Sequence, residues 1–116
     1  MPTIKLTTSV VLEREAKKTL SIELAKAVAE TLGKPLAVTQ AIVQDDEVIS
    51  FGGNFDSDSA FIVVLSIGAL NQTNCNALSA RLCDLMKQYG VDPKFTYICF
   101  NDKRAEEWGC NSKTLA

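Results

Sequence analysis

Apolar and polar residues alternate from the start of the chain. Within residues 3–10, Ile4, Leu6 and Val10 are set against Lys5, Thr7 and Ser9, the period of a half-buried strand. Across residues 13–32 the period lengthens: Ala16, Leu20, Leu24, Ala27, Val28 and Thr31 recur at helical spacing, and Glu13/Lys17 and Lys26/Glu30 stand as i,i+4 pairs on the other side. Gly33 ends this helix and Pro35 prevents its resumption. Residues 36–43 read as a second strand, 45–47 as a turn, 48–51 as a short edge strand and 52–59 as a loop. Residues 60–68 are apolar at successive positions and rich in β-branched side chains, which predicts a central strand covered on both faces. A second helix is expected over 73–89, with Leu78, Leu82, Leu85 and Tyr89 on one stripe and Gly90 and Pro93 behind it. The last strand covers 94–101, and a polar turn leads to a short tail over 111–116.

The order is β-α-β-β followed by β-α-β, and the halves, about 1–51 and 60–116, echo each other. Gly33 answers Gly90 and Pro35 answers Pro93, the mark of a duplicated βαβ unit. The expected fold is α+β: one domain over 1–116, with a mixed four-stranded sheet and short edge strands. Right-handed crossovers place both helices on one face of the sheet. The central strand then keeps an apolar face with no chain left to cover it, and a further copy of the protein is the expected cover.

Composition sharpens this picture mainly through one zero. Among 116 residues there is no histidine, which removes Ser-His-Asp and Cys-His nucleophile systems and His-ligated zinc. Twelve Lys and Arg against fourteen Asp and Glu give a net charge of -2 with the signs interspersed, which argues against a nucleic-acid partner. Cys75, Cys83, Cys99 and Cys110 contain no CxxC pair and read as free thiols, with Cys83 and Cys99 as small buried apolar residues. No metal or cofactor is expected: Asp56-Ser57-Asp58 begins like a calcium loop, but Ala60 and Phe61 fall where a ligand and the turn glycine belong. The start of the chain has no signal-peptide core and no stretch approaches the ~20 apolar residues that span a bilayer, so a cytoplasmic protein without a membrane partner is expected.

One residue offers proton chemistry near neutral pH. A small residue at position 2 favours removal of Met1, which would leave Pro2 with a free secondary amine. Burial or a nearby cation lowers the pKa of such an amine, and an unprotonated amine is a competent general base. Pro2 also reads simply as a stiff strand start. Lys34, at the end of the first helix, suits the negative end of the helix dipole.

Several short segments together resemble the macrophage migration inhibitory factor family of the tautomerase superfamily. They are Met1-Pro2, Leu32-Gly33-Lys34-Pro35, Ser50-Phe51-Gly52-Gly53, Ser66-Ile67-Gly68, the stretch from Asp92-Pro93 to Tyr97-Ile98, and the tail Asn111-Ser112-Lys113-Thr114-Leu115. The resemblance runs end to end and implies a homotrimer with pockets at subunit interfaces. It implies Pro2 as the catalytic base of keto-enol tautomerisation of phenylpyruvate-like α-keto acids, an isomerase activity that extends to dopachrome in the family. Lys34 is then the cation that binds the substrate carboxylate, Ile67 lends its backbone N–H, and Tyr97 reaches in from the neighbouring subunit. A second implied reading is a cytokine-like protein, exported without a signal peptide, that acts by binding a cell-surface receptor. The chain departs from the family pattern at Cys99, where many members place a substrate-contacting asparagine, and at Val38, Cys110 and Leu115, which replace aromatic residues. Trp108 stands close enough in sequence to refill part of that rim. The family's CxxC is replaced by Ser59-Ala60-Phe61-Ile62, which leaves thiol-disulfide exchange without its motif.

Overall fold

A computed structural model describes residues 1–116. The alternating N-terminal segment forms β1 (Pro2–Thr8), with Ile4 and Leu6 fully buried and Lys5 exposed. Strand β2 (Gln40–Gln44) pairs parallel to β1, β3 (Ala60–Ser66) pairs antiparallel to β1, and β4 (Thr96–Asp102) pairs parallel to β3. The sheet order is therefore β2-β1-β3-β4. Each βαβ unit contributes one parallel pair, and the units meet antiparallel through β1 and β3, as the duplicated pattern predicts.

Helices α1 (Arg14–Leu32) and α2 (Gln72–Lys87) share one face of this sheet. Leu20, Leu24 and Val28 of α1 and Leu78, Leu82 and Met86 of α2 join Ile4, Leu6, Ile62 and Val64 in a single buried cluster. Burying these side chains supplies the main stabilisation, roughly 1.5–3 kcal/mol for each large one. Arg81 of α2 reaches Glu30 of α1 at 3.0 Å, and Lys17 reaches Asp45 at 3.3 Å. The expected i,i+4 pairs are not formed, because Glu13 lies outside the first turn as the N-cap residue while Lys17 pairs with Asp45 and Glu30 with Arg81. Asp45 also accepts the Leu12 N–H at 2.8 Å. That bond, helped by Lys17, holds its carboxyl below the usual range and ties the start of α1 to the end of β2.

Several boundaries differ from the sequence reading, and at three segments the local reason is visible. Residues 36–38 form a 3-10 turn: Val38 and Thr39 N–H donate to Pro35 and Leu36 carbonyls, and the Thr39 hydroxyl caps Pro35 at 2.9 Å. Strand β2 consequently begins only at Gln40. Residues 48–50 form no strand, because no strand of the chain runs beside them. Phe51 pairs only with Asn54, across Gly52 and Gly53, both at positive φ. At the other end, the Asp92 side chain accepts the Lys94 N–H at 2.8 Å and winds 93–95 into a second 3-10 turn, which delays β4 to Thr96.

The tail holds a small hairpin of β5 (Gly109–Cys110) and β6 (Lys113–Thr114) that periodicity did not foresee. Asn111 and Ser112 turn it at positive φ. No helix is long and apolar enough to cross a membrane.

The sheet face away from the helices is open. Phe61, Val63 and Leu65 of β3 lie there beside Thr3, Lys5 and Thr7 of β1, Ile42 of β2, and Tyr97 and Cys99 of β4. All four cysteines are free thiols. Cys83 is half-buried and Cys99 exposed, not buried, because strand alternation turns Cys99 to the uncovered side.

Candidate active site

Three of the five candidate residues meet at one end of the central strands. Pro2 is buried at the start of β1 and pairs with Ser66, the last residue of β3. The chain then leaves the sheet through Ile67, Gly68 and Ala69, with φ of +77° at Gly68 and +65° at Ala69. Such angles cost an L-residue about 1–2 kcal/mol, so Ala69 marks a strained turn.

Lys34 arrives from the other βαβ unit. Gly33, at φ +66°, donates its N–H to the Ala29 carbonyl and ends α1. Lys34 donates its own N–H to the same carbonyl at 2.9 Å. That left-handed cap redirects the chain, and the Lys34 ammonium donates to the Ile67 carbonyl at 2.8 Å. Two of its three N–H donors remain for another partner.

The peptide planes around Ile67 determine which groups face Pro2. The Ser66 carbonyl accepts the Lys103 N–H at 2.8 Å, so it points toward β4. In a trans peptide the next N–H points the opposite way. The Ile67 N–H is thereby directed toward β1, where Pro2 lies, and it has no acceptor within the chain. Burial, then the nearby Lys34 charge, hold the Met1 α-amino group below its usual pKa.

Tyr97 and Cys99 are not brought to this end. Tyr97 pairs with Phe61 and Cys99 with Val63, whereas Pro2 pairs with Ser66. Five and three residues of strand separate them from the Pro2 row, about 17 and 10 Å at ~3.3 Å per residue. Tyr97 is 60% exposed and leans on Phe51, with ring centroids 5.2 Å apart. Phe51 in turn meets Phe95 edge-on at 5.1 Å. Val38, Cys110 and Leu115 are also exposed.

A shallow cleft of about 240 Å³ opens beside the Pro2 end, lined by Leu65, Lys103, Glu107, Trp108 and Gly109. Trp108 thus does line a cavity next to β3. The cleft is smaller than the roughly 300–1,000 Å³ of sites that enclose small ligands. A larger hollow of about 370 Å³ lies between the helices and is lined by Glu23, Lys26, Arg81 and Asp84, remote from these groups. Asp102 and Lys103, which periodicity reasoning passed over, sit at the Pro2 end because β4 runs on to Asp102, opposite Ser66. Extending the alternation of the last strand by one residue would have found Asp102.

Comparison with known proteins shows the family. Residues 1–116 match the sequence pattern of the macrophage migration inhibitory factor (MIF) family. The chain is similar to the macrophage migration inhibitory factor of Xenopus tropicalis, 32% identical over 117 residues and covering 100% of each chain. Its fold is similar to the crystal structure of a homologue from Prochlorococcus marinus, with a TM-score of 0.91, 30% identity, and coverage of 98% of this chain and 99% of that one. A MIF-like protein from Entamoeba histolytica is as near, with a TM-score of 0.91, 32% identity and 97% coverage of both chains. An end-to-end sequence match and a shared fold at this level establish that the chain belongs to the macrophage migration inhibitory factor family.

Proposed function

We propose that the protein is a keto-enol tautomerase of phenylpyruvate-like α-keto acids, with the nitrogen of Pro2, freed by removal of Met1, as general base. The observation that carries this reading is the meeting of Lys34, the Ile67 peptide and the amino-terminal amine at one end of β1 and β3. Removal of Met1 moves the amine to the buried position of Pro2, where desolvation and the Lys34 charge disfavour protonation. The unprotonated nitrogen takes a proton from the carbon next to the keto group. The C–H electron pair forms the new C=C bond, and the keto oxygen takes the proton back from the protonated Pro2 nitrogen, which completes the enol and regenerates the base. Lys34 holds the substrate carboxylate with its free N–H groups, and the Ile67 N–H supplies a further donor.

One chain offers only a shallow cleft, and its Tyr97 and Cys99 lie along the sheet from Pro2. The same apolar face that needs cover carries both residues. A trimer that covers this face and brings Tyr97 and Cys99 of one copy toward Pro2 of the next completes the walls. With Cys99 and Cys110 on the rim, the pocket is less aromatic and lacks an amide donor, so binding of phenylpyruvate is weak while proton transfer persists.

The test is enolisation of phenylpyruvate by purified protein whose mass shows that Met1 is gone. The expected result is a protein-dependent rate that disappears in a chain retaining Met1, since an amide nitrogen is no base. Equal rates with and without Met1 would contradict the mechanism, and no rate from the mature chain would contradict the activity.

A further inference from the structure

The Ile67–Gly68 peptide is held from both of its polar ends. Lys34 donates to its carbonyl at 2.8 Å, and Asp102 accepts its N–H, that of Gly68, through Oδ1 at 2.9 Å. Asp102 can do this because β4 places it opposite Ser66, one residue short of the turn. The neighbouring groups are fixed in the same way. The Ser66 hydroxyl donates to the Gly68 carbonyl at 2.8 Å, and the Asn74 side-chain amide donates to the Ala69 carbonyl at 2.8 Å.

This turn contains Ala69 at φ +65° directly after Gly68 at +77°, and strain of this kind persists only where surrounding contacts hold it. If the Gly68 N–H lost its acceptor, the peptide would be free to rotate. Its carbonyl would carry the Lys34 ammonium with it, whereas the preceding Ile67 N–H is held separately through the Ser66 carbonyl, which accepts the Lys103 N–H. We infer that Asp102 is a positioning residue of the site: by gripping the Gly68 N–H it fixes the Ile67 carbonyl and, through it, the Lys34 ammonium beside Pro2. The inference rests on the tautomerase reading for its kinetic consequence, although the geometric consequence stands without it.

Asp102 acts as an acceptor, and its negative charge opposes an anionic substrate. The two properties separate in two variants. Asp102→Ala removes the acceptor, whereas Asp102→Asn keeps an oxygen in place and removes the charge. With phenylpyruvate, Asp102→Ala should raise KM about tenfold, the worth of one hydrogen bond to a charged group, and lower kcat by a smaller factor. Asp102→Asn should restore KM to the parent value or below it. A merely structural role predicts instead that both variants track their loss of thermal stability.

Titration of 15N-labelled protein with phenylpyruvate supplies a readout that does not need turnover. The Ile67 amide resonance of the parent should shift on binding, with about tenfold weaker affinity in Asp102→Ala and recovery in Asp102→Asn. Parental KM and a parental Ile67 response in a folded Asp102→Ala would overturn the inference while leaving the tautomerase reading intact. An inactive parent whose Ile67 amide still responds, with the response weakened in Asp102→Ala, would overturn the activity and uphold the positioning role. An Ile67 amide that does not respond in the parent would overturn the positioning role outright.

Discussion

Replacing Pro2 with glycine lowers the rate of phenylpyruvate enolisation about 100-fold while the protein stays folded. The size follows from what a positioned general base contributes, roughly 10²–10⁴ in rate. Glycine preserves an α-amine but loses the ring that fixes φ and excludes water from the nitrogen. The amine becomes a mobile, hydrated primary amine that must be ordered again in each turnover. The fold tolerates the change because the core is built from Ile4, Leu6, Ile62 and Val64 and the helix residues above them, none of which is altered. Circular dichroism and thermal melting establish that the variant is folded, and the enol absorbance reads the rate. A parental rate in the folded variant places the base elsewhere in the chain, although no histidine is available to take the role.

The largest stability effect is expected at Ile62. It is fully buried on the helix side of β3, between Leu6 of β1 and Ile98 of β4. Truncation to alanine removes three methyl or methylene groups from a site that two paired strands and two helices prevent from collapsing. Urea unfolding should show a loss of about 2–5 kcal/mol, a large share of the roughly 5–15 kcal/mol of a typical domain. The adjacent Val63 provides the contrast, since alternation turns it to the open face. In separated protomers Val63→Ala should cost no more than about 1 kcal/mol. If copies of the chain cover that face, its cost grows with protein concentration, because association stabilises the folded state. A loss at Ile62 within a few tenths of a kcal/mol of that at Val63 would contradict the assignment of the two faces.

Much of the architecture was legible in the sequence because its signals are periodic. The helical stripe from Leu20 to Val28 and the β-branched run in residues 60–68 each have a single packing solution, and the Gly33 and Gly90 stops fixed the duplication. Segments whose conformation depends on local hydrogen bonds were misread. Leu36, Ala37 and Val38 have strand-like composition, yet Pro35 and Thr39 wind them into a turn. The edge strand expected over 48–51 needs a partner strand that one chain does not contain, and Val48 is 88% exposed. The candidate site was legible in part for the same reason. Lys34 and Ile67 were singled out by the family resemblance, at a helix end and a strand end that periodicity locates, and the structure joins them at 2.8 Å. Asp102 escaped because the last strand reads as ending at Asn101; one more residue of alternation places it at this end, whereas its bond to the Gly68 N–H across 34 residues is a contact no periodicity records.

The central claim concerns the state of one nitrogen, and it is measured directly by following the 15N resonance of Pro2 in the mature chain as pH is varied. Burial and the Lys34 charge both disfavour the protonated amine, as they do for the Met1 amino group. The expected pKa therefore lies below the ~7.7–8.0 of an ordinary α-amine and rises when Lys34 is replaced by alanine. The kcat/KM for phenylpyruvate should increase with pH and level off through that same value, since only the deprotonated nitrogen accepts the substrate proton. A Pro2 nitrogen that titrates at or above the ordinary range, or a rate that is indifferent to its titration, would contradict the account.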